Sequence, residues 1–157
     1  MHPKSKTTTH KSRFGCRKAY LVELFKSGLE RRIARQIEDA GIAVEYETLC
    51  LPFLQPAAHR SYRPDFWLPN GIVIEAKGHF VLDDRKKHVL IHDQYPFLDI
   101  RLVFSNANNR ISKRSKTTYA DWCRNLEIPY STGSIPTIWF DELVNSKSLS
   151  IIHDLCF

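Results

Sequence analysis

The stretch Tyr62–His79, YRPDFWLPNGIVIEAKGH, decides the reading of the chain. "PNG" is a turn signal set between the apolar runs "DFWL" and "GIVIEAK", so the stretch predicts a β-hairpin. Side chains alternate between the faces of a strand. Val73, Glu75 and Lys77 therefore share one face, and Ile72, Ile74 and Ala76 the other. A hairpin brings the start of its first strand beside the end of its second, so Asp65 should approach Glu75 and Lys77. Ionised groups at the end of an apolar strand are costly unless they are paired or bound to metal. Two neighbouring carboxylates also resist joint ionisation, a cost that a divalent cation reverses.

An oxygen-only ligand set selects a hard ion, Mg²⁺ or Mn²⁺, over zinc. Such an ion can activate water and neutralise charge developing on a phosphate. A lysine beside it can orient water or stabilise the transition state. Pro-Asp followed by Glu-x-Lys, with nine residues between Asp65 and Glu75, is the pattern of a large nuclease superfamily. The motif is short. A simple salt bridge between Glu75 and Lys77 is its bland alternative. The hairpin geometry, the apolar strand and Gly78, where a DNA backbone can come close, favour the nuclease.

The chain has 157 residues, 43% of them hydrophobic, enough for one domain with a real core. No apolar run reaches the roughly 18 residues of a membrane span, and no signal-peptide pattern opens the chain. Cys16, Cys50, Cys123 and Cys156 form no CxxC pair and are expected as free thiols. The net charge of +6 is unevenly spread: residues 1–35 hold ten Lys/Arg against two acids, and the remainder holds 13 against 15. Arg110, Lys113, Arg114 and Lys116 form a second basic cluster. Such patches suit a polyanion, or else a solvated tail and loop.

Residues 1–24 are polar, basic and without periodicity, as expected of a disordered arm. "SGLERRIARQIEDAG" predicts a helix with Leu29, Ile33, Ile37 and Ala40 on one face and Gly41 at its C-terminal cap. Glu30 lies at the edge of that face, and Ser27-x-x-Glu30 fits a capping box. "AVEYETLCLPFLQP" is β-like, but Pro52 and Pro56 restrict its second half to an edge strand or an extended connector. "LDDRKKHVLIHDQYP" predicts a helix from near Asp83 to just before Pro96. "DIRLVFS" is a strand and "TTYADWCRNLEI" a helix. From Pro129 on the pattern is weak. Alternating strands and helices imply an α/β class with a mixed sheet.

The segments "FKSGLE", "YRPDFWLPNGIVIEAKG", "DDRKKHVLI" and "LDIRLVFS" resemble, in order and spacing, the phage endonuclease I family, the Holliday junction resolvases of short-tailed T-odd phages. The resemblance runs from about Phe25 to Glu127. It implies a restriction-endonuclease-like mixed sheet flanked by helices, built into an intertwined homodimer. Residues 25–128 would form the nuclease domain, with the helix over 27–41 swapped to the partner across a bridge at about 47–58. Residues 129–157 would be a partly structured tail. The implied catalytic residues are Glu30, Asp65, Glu75 and Lys77. The implied metal ligands are Glu30, Asp65, Glu75 and the carbonyl of Ala76, holding two Mg²⁺, with Mn²⁺ as a substitute. The implied substrate is branched DNA, above all four-way junctions. No membrane and no nucleotide cofactor are expected, and the setting would be cytoplasmic, that of the host cell for a phage-encoded chain.

Arg31, Arg85, Lys86, Lys87, Arg110, Lys113 and Arg114 are the expected phosphate contacts; a solvated face is the rival reading. His88 and His92, spaced i, i+4, are expected as one buried and one exposed histidine rather than metal ligands. His79 is a minor candidate for substrate contact, and the three tryptophans are expected in the core. Two other functions stay open: a sequence- or mismatch-directed nuclease of the same superfamily, and a DNA-binding protein with a degenerate site.

Overall fold

The computed structural model describes residues 25–55 and 58–156; the predicted basic arm, residues 1–24, lies outside them. Helix α1 spans Gly28–Asp39. Its apolar residues return every three to four positions, so Leu29, Ile33, Ala34 and Ile37 are buried along one stripe. Ala40 is exposed and serves as the C-cap instead of joining that stripe. Gly41 follows at φ 75°. Its N–H donates to Glu38 O and that of Ile42 to Ile37 O, the pair of bonds of a Schellman ending.

Strands β1 (Leu51–Gln55) and β2 (Ala58–Tyr62) form an antiparallel two-stranded sheet of their own. The main sheet holds β3 (Phe66–Trp67), β4 (Ile72–Lys77), β5 (Asp99–Phe104) and β6 (Tyr130–Thr132), in that spatial order. The predicted hairpin is present, with β3 antiparallel to β4 in the register Phe66 to Ile74 and Trp67 to Val73. β5 and β6 then add in parallel. Each parallel step needs a crossover, supplied by α2 (Leu82–Gln94) and α3 (Tyr119–Asn125). Two short helices, α4 (Ile138–Asp141) and α5 (Ser146–Cys156), close the chain.

Both faces of the sheet are covered, which explains the near-continuous apolar run in β4. Ile72 and Ile74 pack with Phe66, Leu68, Val103, Trp139 and the α1 stripe. Val73 and Ile100 pack on the opposite face with Leu51, Phe53, Tyr62, Ile91 and Ile152. Leu102 and Phe104 continue that face toward Phe80, Tyr119 and Cys123.

The C-terminal segment is tied to the β3–β4 turn. Asn70 donates to Trp139 O at 2.8 Å, Asn145 N–H donates to Asn70 O at 2.8 Å, and Ser148 donates to Gly71 O at 2.6 Å. Gly71 sits at φ 88°, and a Cβ there would stand 2.8 Å from Asn145 O. Glycine is thus required twice at that turn, for its backbone angle and for the close approach. Among the described residues no helix is long and apolar enough to cross a membrane.

Candidate active site

The C-terminal end of β4 carries Glu75, Ala76 and Lys77. Asp65 occupies the bend before β3, and the register sets it beside them, as the hairpin predicts. Its Oδ2 accepts the Ala76 N–H at 2.7 Å. The carboxylate therefore takes the place of a strand partner just where β3 gives out. Within a strand a residue's N–H and C=O point to the same side, so the Ala76 carbonyl is directed to this end as well.

Glu75 is only 3% exposed. Its Oε2 accepts from the Tyr62 hydroxyl at 2.6 Å, and its Oε1 pairs with Lys77 Nζ at 2.7 Å. Lys77 also lies 3.6 Å from Asp84 Oδ1 on α2. Burial alone would lower the lysine's pKa. Glu75 and Asp84 outweigh it and hold the ammonium charged.

Glu30 enters from the first turn of α1 and is 8% exposed. The predicted cap is half present: Ser27 Oγ accepts the Glu30 N–H at 3.1 Å. The carboxylate reaches further back, so that its Oε2 accepts from Lys26 N–H at 2.8 Å and from the Tyr46 hydroxyl at 2.7 Å. Tyr46 bridges to Phe66, and Glu47 N–H donates to Asp65 O at 2.9 Å. This short extended segment thus ties Glu30 to the Asp65 end of β3. Burial pushes the Glu30 carboxyl up, but the donors, Tyr46 first, bring it below its ordinary range.

Asp65 behaves oppositely. Burial first, then Glu75 and Glu30, push its carboxyl from 3.8 to about 7, against the Ala76 N–H and Lys77. The donor chemistry fits a hard divalent cation: three carboxylates and a carbonyl, with one acid held high by its neighbours. Among the described residues no three acid, histidine or cysteine side chains stand close enough to enclose an ion as they are. The donors explain this: Ala76 N–H draws Asp65 one way, Tyr62 and Lys77 hold Glu75, and Tyr46 and Lys26 hold Glu30.

The expected phosphate contacts divide. Arg31, Lys86, Arg110, Lys113 and Arg114 are exposed, the last three on a loop closed by the bridge from Arg110 to Thr118. Lys87 is half-buried, 3.7 Å from Asp84 and 5.0 Å from the centre of the Tyr62 ring. Arg85 is not brought to the surface. It is 7% exposed and donates to Phe80 O at 2.5 Å, fastening the loop after β4 to α2.

His88 is fully buried against Tyr62 and Phe80, with neither ring nitrogen hydrogen-bonded among the described residues, and burial holds it neutral. His92 is half-buried with its Nε2 unbonded, so the expected exposed member of the pair is not found. His79 is exposed. Trp139 is in the core, while Trp67 and Trp122 are half-buried. Sequence reasoning missed Tyr46 and Tyr62. The alternation of Val44 and Tyr46 was a signal that Tyr46 points inward, but nothing in the sequence marked Tyr62 or named the carboxylates the two tyrosines meet.

Two acids and a lysine at one strand end, with a third acid delivered by a helix start, are a set suited to phosphodiester hydrolysis on an α/β fold. Residues 11–156 match the family model described as phage endonuclease I. The chain is 43% identical over 129 residues to "Endonuclease I" of Escherichia phage T7, covering 82% of this chain and 87% of that one. It is 47% identical over 112 residues to "Endodeoxyribonuclease 1" of Enterobacteria phage T3, covering 71% and 74%. The chain belongs to the phage endonuclease I family and is an endodeoxyribonuclease.

Proposed function

We propose that the chain is a metal-dependent, structure-selective endonuclease that resolves four-way DNA junctions by paired nicks. The observation that carries the catalytic part is Asp65 set within electrostatic reach of Glu75 and Glu30, beside a Lys77 held between Glu75 and Asp84. Asp65, Glu75, Glu30 and the Ala76 carbonyl would hold Mg²⁺, or Mn²⁺ in its place, and the ion would supply positive charge to the scissile phosphate and lower the pKa of water. The rest falls on the chain. Asp65 must shed its proton to bind. Lys77, already flanked by a second carboxylate, turns from Glu75 toward the phosphate and donates to charge developing there. Arg31, Lys86 and the loop of Arg110, Lys113 and Arg114 supply sequence-independent phosphate contacts.

Selectivity for a junction calls for two sites in fixed relation, and a swapped homodimer supplies them. β1 and β2 pair antiparallel, from Leu51 with Tyr62 to Gln55 with Ala58. The same antiparallel pairing can be made with a second copy of the chain, β1 of one on β2 of the other, and two such pairings form the bridge. Glu30 lies before β1 and Asp65, Glu75 and Lys77 after β2, so the exchange hands Glu30 to the partner's site.

The test pairs a four-way junction with a linear duplex of the same sequence, with and without Mg²⁺. Metal-dependent cutting of the junction alone is expected. Cutting of the duplex at one defined sequence would replace this with the sequence-directed reading, and binding without breaks would replace it with a non-catalytic one. The swap is tested by coexpressing Glu30→Ala and Asp65→Ala chains with different tags. In a swapped mixed dimer one site carries both lesions and the other neither, so nicking returns. Heterodimers as inactive as both parents, with junction binding intact, would sink it.

A further inference from the structure

We infer that Tyr62 and Tyr46 are positioning residues for the metal-binding carboxylates, each holding one glutamate by its Oε2. The inference rests on the metal-dependent reading above and deepens it. The two contacts are alike though they lie on different elements. Tyr62 donates to Glu75 Oε2 at 2.6 Å, and Tyr46 donates to Glu30 Oε2 at 2.7 Å.

Both rings are fixed by packing. Tyr62 is 2% exposed, edge-on to His88 with ring centres 5.5 Å apart, and Lys87 Nζ caps its face at 5.0 Å. Tyr46 is half-buried, edge-on to Phe25 at 4.6 Å and tilted against Phe66 at 5.3 Å. A ring held this way fixes its hydroxyl, and the hydroxyl fixes the plane of the carboxylate.

The donor is neutral, and that matters. An arginine in the same place would orient the acid and also cancel its charge. A tyrosine orients it and leaves the charge for a cation. Tyr62 occupies Oε2 and leaves Oε1 to Lys77, the group that can move away; on Glu30, Tyr46 and Lys26 N–H both sit on Oε2. Each pair also lies wholly on one side of Pro56, Tyr46 with Glu30 before it and Tyr62 with Glu75 after it. Both contacts therefore survive the strand exchange proposed above.

The ordinary alternative is a buried hydroxyl that has only found an acceptor. Tyr62→Phe and Tyr46→Phe separate the two, since each removes one oxygen and keeps the ring. Two quantities are read on the full chain: Mn²⁺ affinity by calorimetry, and melting temperature in EDTA. Loss of a partner that orients a metal ligand typically weakens metal binding about 10- to 100-fold. That loss is expected in each variant, with the metal concentration for half-maximal junction nicking rising in step. A structural role alone lowers the metal-free melting temperature and leaves affinity unchanged. Normal Mn²⁺ affinity in either variant overturns the assignment of that tyrosine. Should Tyr62→Phe fail to fold, Tyr46→Phe, at a half-exposed position, decides the inference by the same readout. A wild type that binds no Mn²⁺ overturns the metal reading and this inference together; wild-type binding undiminished in the variants overturns this inference alone.

Discussion

Two clusters of buried charge lie on β4, β5 and their neighbours, and they are built differently. Toward the start of β5, Arg101 bonds Asp99 through Nε at 2.8 Å and Nη2 at 2.7 Å. It also bonds Glu142 through Nη1 at 2.7 Å and Nη2 at 2.6 Å, while stacking 5.0 Å from Trp139. Each carboxylate is gripped by both oxygens. The Glu142 carboxyl is accordingly drawn below its ordinary range by the guanidinium. At the C-terminal end of β4, Lys77 is shared between Glu75 and Asp84, the tyrosines are neutral, and Asp65 is driven up to about 7. The first cluster is closed: its acids are stabilised by a rigid bidentate partner. The second sets Glu75 and Asp84 on one shared lysine and leaves Asp65 beside them with its carboxyl raised. The state of the acids, not the presence of buried charge, tells a functional cluster from a structural one.

The sharpest way to break the contrast is to neutralise one glutamate in each. Glu75→Gln should cost about 10³-fold or more in junction cleavage, because it removes a member of a unit that acts together. Binding should persist, since that rests on basic groups and shape. Glu142→Gln should leave the rate within about twofold by the same assay. Cleavage and gel-shift measurements on both variants decide it. Equal losses, or loss of binding with loss of cutting in Glu75→Gln, would mean that fold damage explains the effect.

The second test is on stability. Arg101→Leu leaves two carboxylates facing one another without their cation, an arrangement that costs about 3 kcal/mol. Glu142 keeps some solvent access, which places the cost at the lower end of that class. In a chain of this size it corresponds to a melting temperature lower by roughly 6–12 °C. Metal ions should restore it little, because among the described residues no third acid, histidine or cysteine is grouped with Asp99 and Glu142. Rescue of Arg101→Leu by Mg²⁺ would make the two clusters alike and undo the distinction.

Much of the candidate site was legible because it depends on local rules. The period of two in "GIVIEAK" and the turn at "PNG" place Asp65, Glu75 and Lys77 together without knowledge of the rest of the fold. The α1 stripe and its glycine ending follow the helical period equally directly. What escaped depends on contacts distant in sequence. Tyr62 meets Glu75 because β2 packs against the sheet, and Tyr46 meets Glu30 across 16 residues. The weakly patterned stretch after Pro129 supplies β6 and two helices. It is ordered by bonds to Asn70 and Gly71 that no periodicity announces. Arg85 was read as a surface cation from its place among Lys86 and Lys87, yet it faces inward because the loop after β4 offers a carbonyl at Phe80. Glu30 carries local and distant meaning at once: the cap was visible in the residues around it, and the approach to Asp65 came only from the family resemblance.

The smallest expected effect is the most direct reading of the open cluster, because it needs no substrate. In the metal-free protein the Asp65 carboxyl titrates near 7 when folded and near its ordinary 3.8 when unfolded. Between those values the folded chain holds a proton that the unfolded chain has released. Stability gained from that proton is present at low pH and is lost as pH rises through about 7. Glu142 has the opposite sign, since its folded pKa is depressed: its contribution is present above the ordinary carboxylate range and is lost as pH falls through that range. Melting curves in EDTA at pH 5, 6, 7 and 8 should therefore show a wild-type decline that Asp65→Asn lacks. Asp65 is half-buried, so solvent screening reduces the effect to about 1–2 kcal/mol, roughly 2–8 °C. Adding Mn²⁺ should reverse the trend, since binding at pH 6 expels the proton, whereas binding at pH 8 has none to expel. Calorimetry in two buffers of different ionisation enthalpy measures that proton. If the wild type and Asp65→Asn melt in parallel from pH 5 to 8, Asp65 carries no excess proton, and the two clusters do not differ in the way their geometry requires.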